Sequence, residues 1–267
     1  MDQKPRLEGK VAIVTGAGTR GPVDGTGRAA SILFTRLGAK VLLVDSVEEN
    51  AVKTLETIKA EGGEASIYVG DVSSSADCQE MVEAAVTRYG RLNVLFNNAA
   101  IFDGPGSVVD IDEDAWQRVM DVNLKGVMLT SKYAIPQMIR AGGGSIINVS
   151  SIDGLRANAV PMIAYAASKG GVITLTRHTA VHHGPDNIRV NCIMPGQIFS
   201  SMVSNISPEL REFRRKAGPL GVEGTAWDIA WAAVFFASDE SRWISGTVLP
   251  VEGGLLAATR LSLAPTG

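Results

Sequence analysis

The sequence predicts an α/β protein on one doubly wound parallel sheet, and three observations carry that expectation. Short apolar runs alternate with longer amphipathic runs from residue 10 to about residue 250, the pattern of strands and crossover helices. The short runs, VAIV, VLLV and SIINV among them, are continuously rich in Val, Ile and Leu, as strands covered on both faces must be. A glycine-rich turn joins the first run to the first helix-length segment. No repeat, low-complexity tract or linker divides the chain, so a single domain is expected over residues 1–267, with a core at about 6–257 and a short tail at 258–267.

Taken in order, strands are expected at 11–15, 41–45, 66–69, 94–97, 145–149, 189–193 and 247–251, seven in all. Helices are expected at 26–37, 76–89, 116–140, 162–182 and 226–237. In the last of these Trp227, Trp231, Phe235 and Phe236 follow helical spacing and read as core or subunit contact. The charge run at 209–216 reads as a solvated helix.

A net charge of −3 with no basic cluster offers nothing to nucleic acid or to an anionic membrane surface. The first ten residues lack a secretory apolar core. The most apolar helical stretch, 229–237, is too short to span a bilayer. Cys78 and Cys192 have neither CxxC spacing nor a ligand cluster and read as free thiols. A reducing, cytoplasmic location is the expectation. His178 and His182 share a helical face, but no third ligand stands near them in sequence, and no metal is expected.

The first strand ends in Thr15-Gly16-Ala17-Gly18, and the helix is expected to begin at Gly25-Thr26-Gly27. Such a turn lets backbone N–H groups approach a pyrophosphate at the positive end of the helix dipole. Residues 16–21 also match GxGxxG literally, but Pro22 forbids a helix running straight on. The second strand ends in Asp45, placed to accept from adenosine ribose hydroxyls. An acid there also repels a 2′-phosphate, by about 4 kcal/mol per unit charge at 4 Å and an effective dielectric near 20. NAD is therefore expected over NADP, with Arg20 the one residue pointing the other way.

Tyr165 and Lys169 lie four apart on one helical face. Oxidising a carbinol requires a group that takes the hydroxyl proton, and a free phenol near pKa 10 is a poor base. A lysine charge about 4–5 Å away lowers it by some two to three pKa units. Alone the pair is a weak signal. Ser151, following the fifth strand, stands where open α/β sheets bind ligands, although a capping serine would look the same.

Together these residues resemble the short-chain dehydrogenase/reductase family over about residues 6–257. The landmarks occur in family order: Thr15-Gly16 with Gly25 and Gly27, Asp71-Val72, Asn97-Asn98-Ala99, Asn123, Ser151, Tyr165 with Lys169, Pro195-Gly196, and Gly253-Gly254. The resemblance implies a Rossmann-like seven-stranded sheet with helices on both faces, commonly in a homotetramer or homodimer. It makes Tyr165 the acid/base and Ser151 the substrate-oxygen binder. Lys169 would hold the nicotinamide ribose and lower the tyrosine pKa, and Asn123 would anchor a water leading from the lysine to solvent. Asp71 and Val72 would meet the adenine, Asn98 and Ala99 would pass beside the cofactor, and the Ile198 backbone would meet the carboxamide. The segment after Pro195-Gly196 often forms a mobile lid.

Three features depart from the family pattern. The glycine turn is longer, by most of residues 19–24; NNAA replaces NNAG; and Ser151 precedes Tyr165 by one residue more than usual. A one-residue bulge within 152–164 would restore the last spacing. Asp24 must either cap the helix or point away from the phosphates. The expected activity is transfer of hydride between NAD and a secondary alcohol or ketone, hydrophobic or cyclic, since Phe102, Leu155, Phe199 and Met202 give the expected pocket walls (101–105, 152–162, 197–202) an apolar character. Asp153 and Arg156 either contact a polar group or face water. An NADPH-dependent ketoreductase of 3-oxoacyl thioesters and a non-catalytic dinucleotide sensor are the alternatives.

Overall fold

The computed structural model describes residues 5–158 and 160–259. Seven parallel strands, β1 (Val11–Thr15), β2 (Lys40–Asp45), β3 (Ala65–Val69), β4 (Val94–Asn97), β5 (Gly144–Val149), β6 (Ile188–Pro195) and β7 (Val248–Val251), form one sheet in the order β3-β2-β1-β4-β5-β6-β7. The strand order reverses between β1 and β4, which opens a crevice at their carboxyl ends.

Neighbouring residues on each strand feed opposite faces, which is why the runs are apolar throughout. Val14, Leu43 and Phe96 pack with Ile32 and Phe34 of α1 (Thr26–Arg36), Ile58 of α2 (Glu48–Ala60) and Ile229 of α8 (Ala226–Ala237). Their partners Ile13, Leu42 and Leu95 pack on the other side with Met81 of α3 (Ser75–Tyr89), Met138 of α5 (Gly126–Arg140) and Ala180 of α6 (Ile163–His183). Each of the Val, Ile, Leu, Phe and Met side chains among these, fully buried, contributes about 1.5–3 kcal/mol. Two shorter helices, α4 (Glu113–Met120) and α7 (Pro208–Ala217), complete the set.

Two expectations need correction. The helix expected at 116–140 is interrupted: α4 and α5 are joined by a five-residue π turn, Asp121–Lys125. The α2 helix was not among those expected, because its buried stripe is thin, only Ala51, Thr54 and Ile58. The expected tail from residue 260 onward, and residue 159 of the expected pocket wall, lie outside the described residues.

Candidate active site

The glycine turn is packed too tightly for side chains. Gly16 has φ +62°, and a Cβ there would stand 3.0 Å from Ala99 Cα. A Cβ on Gly27 would fall 2.0 Å from the Gly16 carbonyl oxygen, so the first turn of α1 lies directly on the turn. Gly25 is the N-cap, as expected; no side chain caps the helix and its first turn holds no acid. The early N–H groups, with Thr26 first among the helical residues, therefore lack side-chain partners.

Asp45 closes against this turn. Its Oδ2 accepts from Gly18 N at 2.9 Å and its Oδ1 from Val47 N at 3.1 Å. A Cβ on Gly18 would sit 2.7 Å from that carboxylate. Gly18 is thus a site residue the sequence reading passed over, although the Gly16-Ala17-Gly18 string displays it. The inserted loop is anchored at both ends. Thr19 is buried and its hydroxyl donates to Val23 O at 2.8 Å. Asp24 points away from the turn and caps nothing: it accepts from Arg28 Nε at 2.8 Å and from Trp227 Nε1 at 3.1 Å. Arg20 is exposed with Gly21 and Pro22 between these anchors.

Along the crevice floor, Thr15 Oγ1 accepts from the N–H groups of Asn98 (3.0 Å) and Ala99 (3.1 Å). The Asn98 amide donates to the carbonyls of Thr15 and Gly16, both at 3.1 Å, so it braces the turn from below. Asp71 is exposed just beyond β3, and Val72 is buried against Gly126, where a Cβ would meet it at 2.9 Å.

Beside the crevice the π turn widens the helix by one residue and turns Asn123 inward, a device frequent at functional sites. The Asn123 side chain is fully buried; it accepts from Ile101 N (2.8 Å) and donates to Ile101 O (2.9 Å) and Ser168 Oγ (3.3 Å). Its carboxamide thereby fixes the loop after β4 against α6. Ser151 follows β5 and leads into a short 3₁₀ turn, Ile152–Gly154. That turn lies directly on α6: a Cβ on Gly154 would stand 2.8 Å from Lys169 C. Ser150 Oγ donates to Lys169 O at 2.7 Å, a second tie between the strand end and the helix. Gly154 and Ser150 are tertiary contacts that no local motif announces.

Tyr165 and Lys169 share one face of α6, as their spacing requires. The Ser151 hydroxyl lies within hydrogen-bonding reach of the Tyr165 phenol and draws its pKa down, but burial outweighs it and pushes the phenol up to about 12. Lys169 Nζ donates to Val149 O at 2.9 Å and stands 5.6 Å from the centre of the Tyr165 ring. Burial brings its own pKa down to about 8. The expected lowering of the tyrosine by the lysine is thus absent from the groups that set the phenol, since the ammonium is directed at a carbonyl and is itself disfavoured by desolvation. Phe102 packs edge-on against Tyr165, ring centres 6.0 Å apart, and supplies the apolar wall. Ser151 Oγ also donates to Asp153 Oδ2 at 3.2 Å, and burial raises the Asp153 pKa.

Pro195 ends β6, and Gly196 passes so close to Glu252 that a Cβ would meet it at 2.4 Å. The Ile198 N–H turns back to Gly196 O at 2.9 Å, while its carbonyl accepts from Arg214 Nη2 at 3.2 Å. The backbone expected to meet a carboxamide is therefore already engaged within the chain. His178 and His182 are exposed, and among the described residues no group of three or more potential ligands could hold a metal ion. Nor is any helix of the described residues long and apolar enough to cross a membrane.

Comparison with known proteins bears on this arrangement. The family model described as enoyl-(acyl carrier protein) reductase matches residues 21–256. The chain is 38% identical to 3-oxoacyl-(acyl-carrier-protein) reductase FabG of Thermotoga maritima, covering 94% of this chain and 99% of that one. It is 35% identical to 2,5-dichloro-2,5-cyclohexadiene-1,4-diol dehydrogenase LinX of Sphingobium indicum, over 93% and 97% of the two chains. The crystal structure of carveol dehydrogenase from Mycobacterium avium in complex with NAD superposes with a TM-score of 0.87 at 30% identity, over 95% and 100%. With the seven-stranded sheet, the glycine turn and the Ser151–Tyr165–Lys169 arrangement, these matches make the chain a member of the short-chain dehydrogenase/reductase family of oxidoreductases.

Proposed function

We propose that the protein oxidises a hydrophobic or cyclic secondary alcohol to its ketone, reversibly, with NAD. The convergence of Ser151, Tyr165 and Lys169 at the carboxyl end of β5 carries this reading. Glycines that leave no room for a Cβ, an uncapped helix start and a carboxylate fixed at the end of β2 fit an adenine dinucleotide. In this reading Gly16, Gly25, Thr26 and Gly27 hold the pyrophosphate, Asp45 the adenosine ribose, Asp71 and Val72 the adenine. Asn98, Ala99, Pro195, Gly196 and Ile198 line the nicotinamide side.

NAD, when bound, accepts the hydride and brings a positively charged ring that opposes the effect of burial on the phenol. Tyr165 takes the carbinol proton as the C–H bond breaks, and returns a proton in the reverse direction. Ser151 donates to the substrate oxygen and steadies its developing charge. Lys169 holds the nicotinamide ribose, and Asn123 orders the path from the lysine to solvent. Phe102 excludes water from the tyrosine. The carveol dehydrogenase complex and the cyclohexadiene-diol dehydrogenase relative support NAD and a ring-bearing substrate.

The FabG relative favours a second reading, a ketoreductase of 3-oxoacyl thioesters using NADPH, in which Arg20 at the exposed loop would reach a 2′-phosphate. Asp45 argues against it. The fold and its relatives also suit a soluble, cytoplasmic homotetramer or homodimer, with a small-molecule alcohol or ketone as the partner. The deciding experiment follows NADH formation with a panel of aliphatic, alicyclic, aromatic and steroid secondary alcohols, NADP run in parallel. Turnover with NAD supports the reading; turnover only with NADP moves it to the ketoreductase.

A further inference from the structure

The loop inserted between Gly18 and Gly25 has no part in the chemistry above, yet it ends against the segment that follows β6. Two contacts join them. The Ser201 N–H donates to Asp24 O at 3.4 Å, and a Cβ on Gly25 would fall 2.9 Å from Ser201 Oγ. The segment therefore lies directly on the start of α1. Two residues earlier, the Phe199 N–H donates to Gly224 O at 2.8 Å, and Phe199 forms a parallel bridge with Thr225, the residue before α8. Phe199 and Met202, two of the apolar residues expected in the pocket wall, belong to this segment. It is held at one point beside α8 and at the next by the inserted loop.

The Asp24 carboxylate determines where that second hold stands. Its Oδ1 accepts from Arg28 Nε at 2.8 Å and its Oδ2 from Trp227 Nε1 at 3.1 Å, so one side chain ties the loop to both α1 and α8. Neither donor depends on Asp24 for its own place. Arg28 also donates through Nη1 to Lys53 O and through Nη2 to Thr57 Oγ1, both on α2. The Trp227 ring lies 5.4 Å from the Arg36 guanidinium. What the carboxylate fixes is the carbonyl of its own residue, the group that meets Ser201. Cofactor binding does not account for an acid here, because a negative charge one residue before the N-cap repels a pyrophosphate at the same helix end.

We propose that Asp24 is a positioning residue for the substrate: it locks the inserted loop to α1 and α8, so that the loop holds residues 199–203, and the pocket wall they form, against the start of α1. The proposal rests on the alcohol-oxidising reading above for the identity of the substrate. Charge-assisted hydrogen bonds are about twice as strong as neutral ones, which suits them to fixing a loop. A substrate wall misplaced by about 1 Å costs up to about 10²-fold in rate.

The test uses the full chain with Asp24→Ala, Asp24→Asn and Trp227→Phe. Ala removes both acceptors, Asn keeps one, and Phe removes the indole N–H while keeping an aromatic ring. Steady-state rates with the best alcohol of the panel, NADH affinity by fluorescence, and amide exchange of the NADH-saturated protein are measured on each. In Asp24→Ala kcat/KM for the alcohol is expected to fall about tenfold or more, chiefly through KM, and by less in the other two variants. NADH is expected to bind Asp24→Ala at least as tightly as wild type, since a negative charge near the phosphates is gone. Amides of residues 199–203 should quicken in the same order as the activity loss, and those of α6 should keep their rates. An unchanged kcat/KM in Asp24→Ala, or unchanged exchange at 199–203, overturns the proposal. NADH affinity that falls as far as kcat/KM overturns it by placing Asp24 at the cofactor, and exchange quickened throughout the protein overturns it by making Asp24 a general support of the fold. Where wild type turns over no alcohol, exchange decides alone. Local quickening at 199–203 then keeps the tie and removes the alcohol-oxidising reading, and its absence removes the tie.

Discussion

The wall that carries the reacting groups and α7, the helix tied to the segment after β6, are built in opposite ways. Asn123, Ser151 and Lys169 are buried at 0%, 7% and 2% exposure, each held by short hydrogen bonds to backbone or to a buried hydroxyl. In α7 no residue is buried. It is held by side chains reaching outward: Arg211 lies over the Phe199 ring at 3.8 Å and pairs with Glu223, and Arg214 reaches Ile198 O. The first construction fixes reacting atoms within fractions of an ångström, as proton transfer requires. The second leaves a surface whose contacts can change with little cost to the core, and substrate choice is the natural thing to place there.

The contrast is broken most severely by Tyr165→Phe. Removing only the phenolic oxygen leaves the edge-on packing with Phe102 in place, so the fold and dinucleotide binding should persist while turnover falls about 10²- to 10⁴-fold. Steady-state rates and NADH binding by fluorescence read the two separately. A variant that keeps more than about a tenth of the activity would remove Tyr165 from the acid/base role.

Lys169 tests how firmly the reacting wall is held. Above pH about 8 the folded protein sheds the Lys169 proton, whereas an unfolded lysine keeps its own to about 10.5. The unfolded state then binds more protons, so this group makes stability rise with pH across that window. Cys192, pushed up to about 11 by burial, acts in the opposite sense from its unfolded value of 9 upward, because its folded form keeps the proton longer. Because the lysine charge itself lowers the thiol's pKa, the native lysine and Lys169→Met are compared in a Cys192→Ala background, which removes the thiol from both. The protein with the native lysine should gain stability on the variant as the pH climbs from about 8 to about 10, at a slope of no more than about 1.4 kcal/mol per pH unit. Denaturant melts at stepped pH measure the gap, and a gap that stays constant would mean that the lysine is not desolvated.

What was legible in the sequence follows the same division. Asp45, the glycine turn, Ser151 and the Tyr165–Lys169 pair were readable because each owes its place to chain-local geometry: a strand end, a tight turn, one helical face. The π turn was not, since one extra residue in a helix of otherwise helical spacing leaves the apolar pattern of residues 116–140 almost unchanged. Gly154 and Ser150 matter only because a distant helix lies on them.

Asp45→Asn sharpens the cofactor side by removing charge while keeping an acceptor for the Gly18 N–H. The carboxylate repels a 2′-phosphate, and even after screening a residual of about 1.4 kcal/mol is a tenfold preference. The ratio of kcat/KM with NAD to that with NADP should therefore fall roughly tenfold. An unchanged ratio would assign selectivity to the inserted loop and Arg20 instead.

The smallest effect is expected from Glu223→Ala, and its smallness is the point. The pair with Arg211 is half-exposed on the arginine side, where such bridges contribute about 0–1 kcal/mol. Global melting should move by no more than about 2–4 °C. Amide exchange should nonetheless quicken in α7 and leave α6 unaffected, because α7 has no buried side chain to hold it once the bridge is gone. A melting loss well beyond that range, with exchange quickened in both helices, would show that α7 is part of the cooperative core. Substrate choice would then be assigned to the wall around Phe102 and Ser151, whose hydrogen bonds and ring packing do not involve that helix.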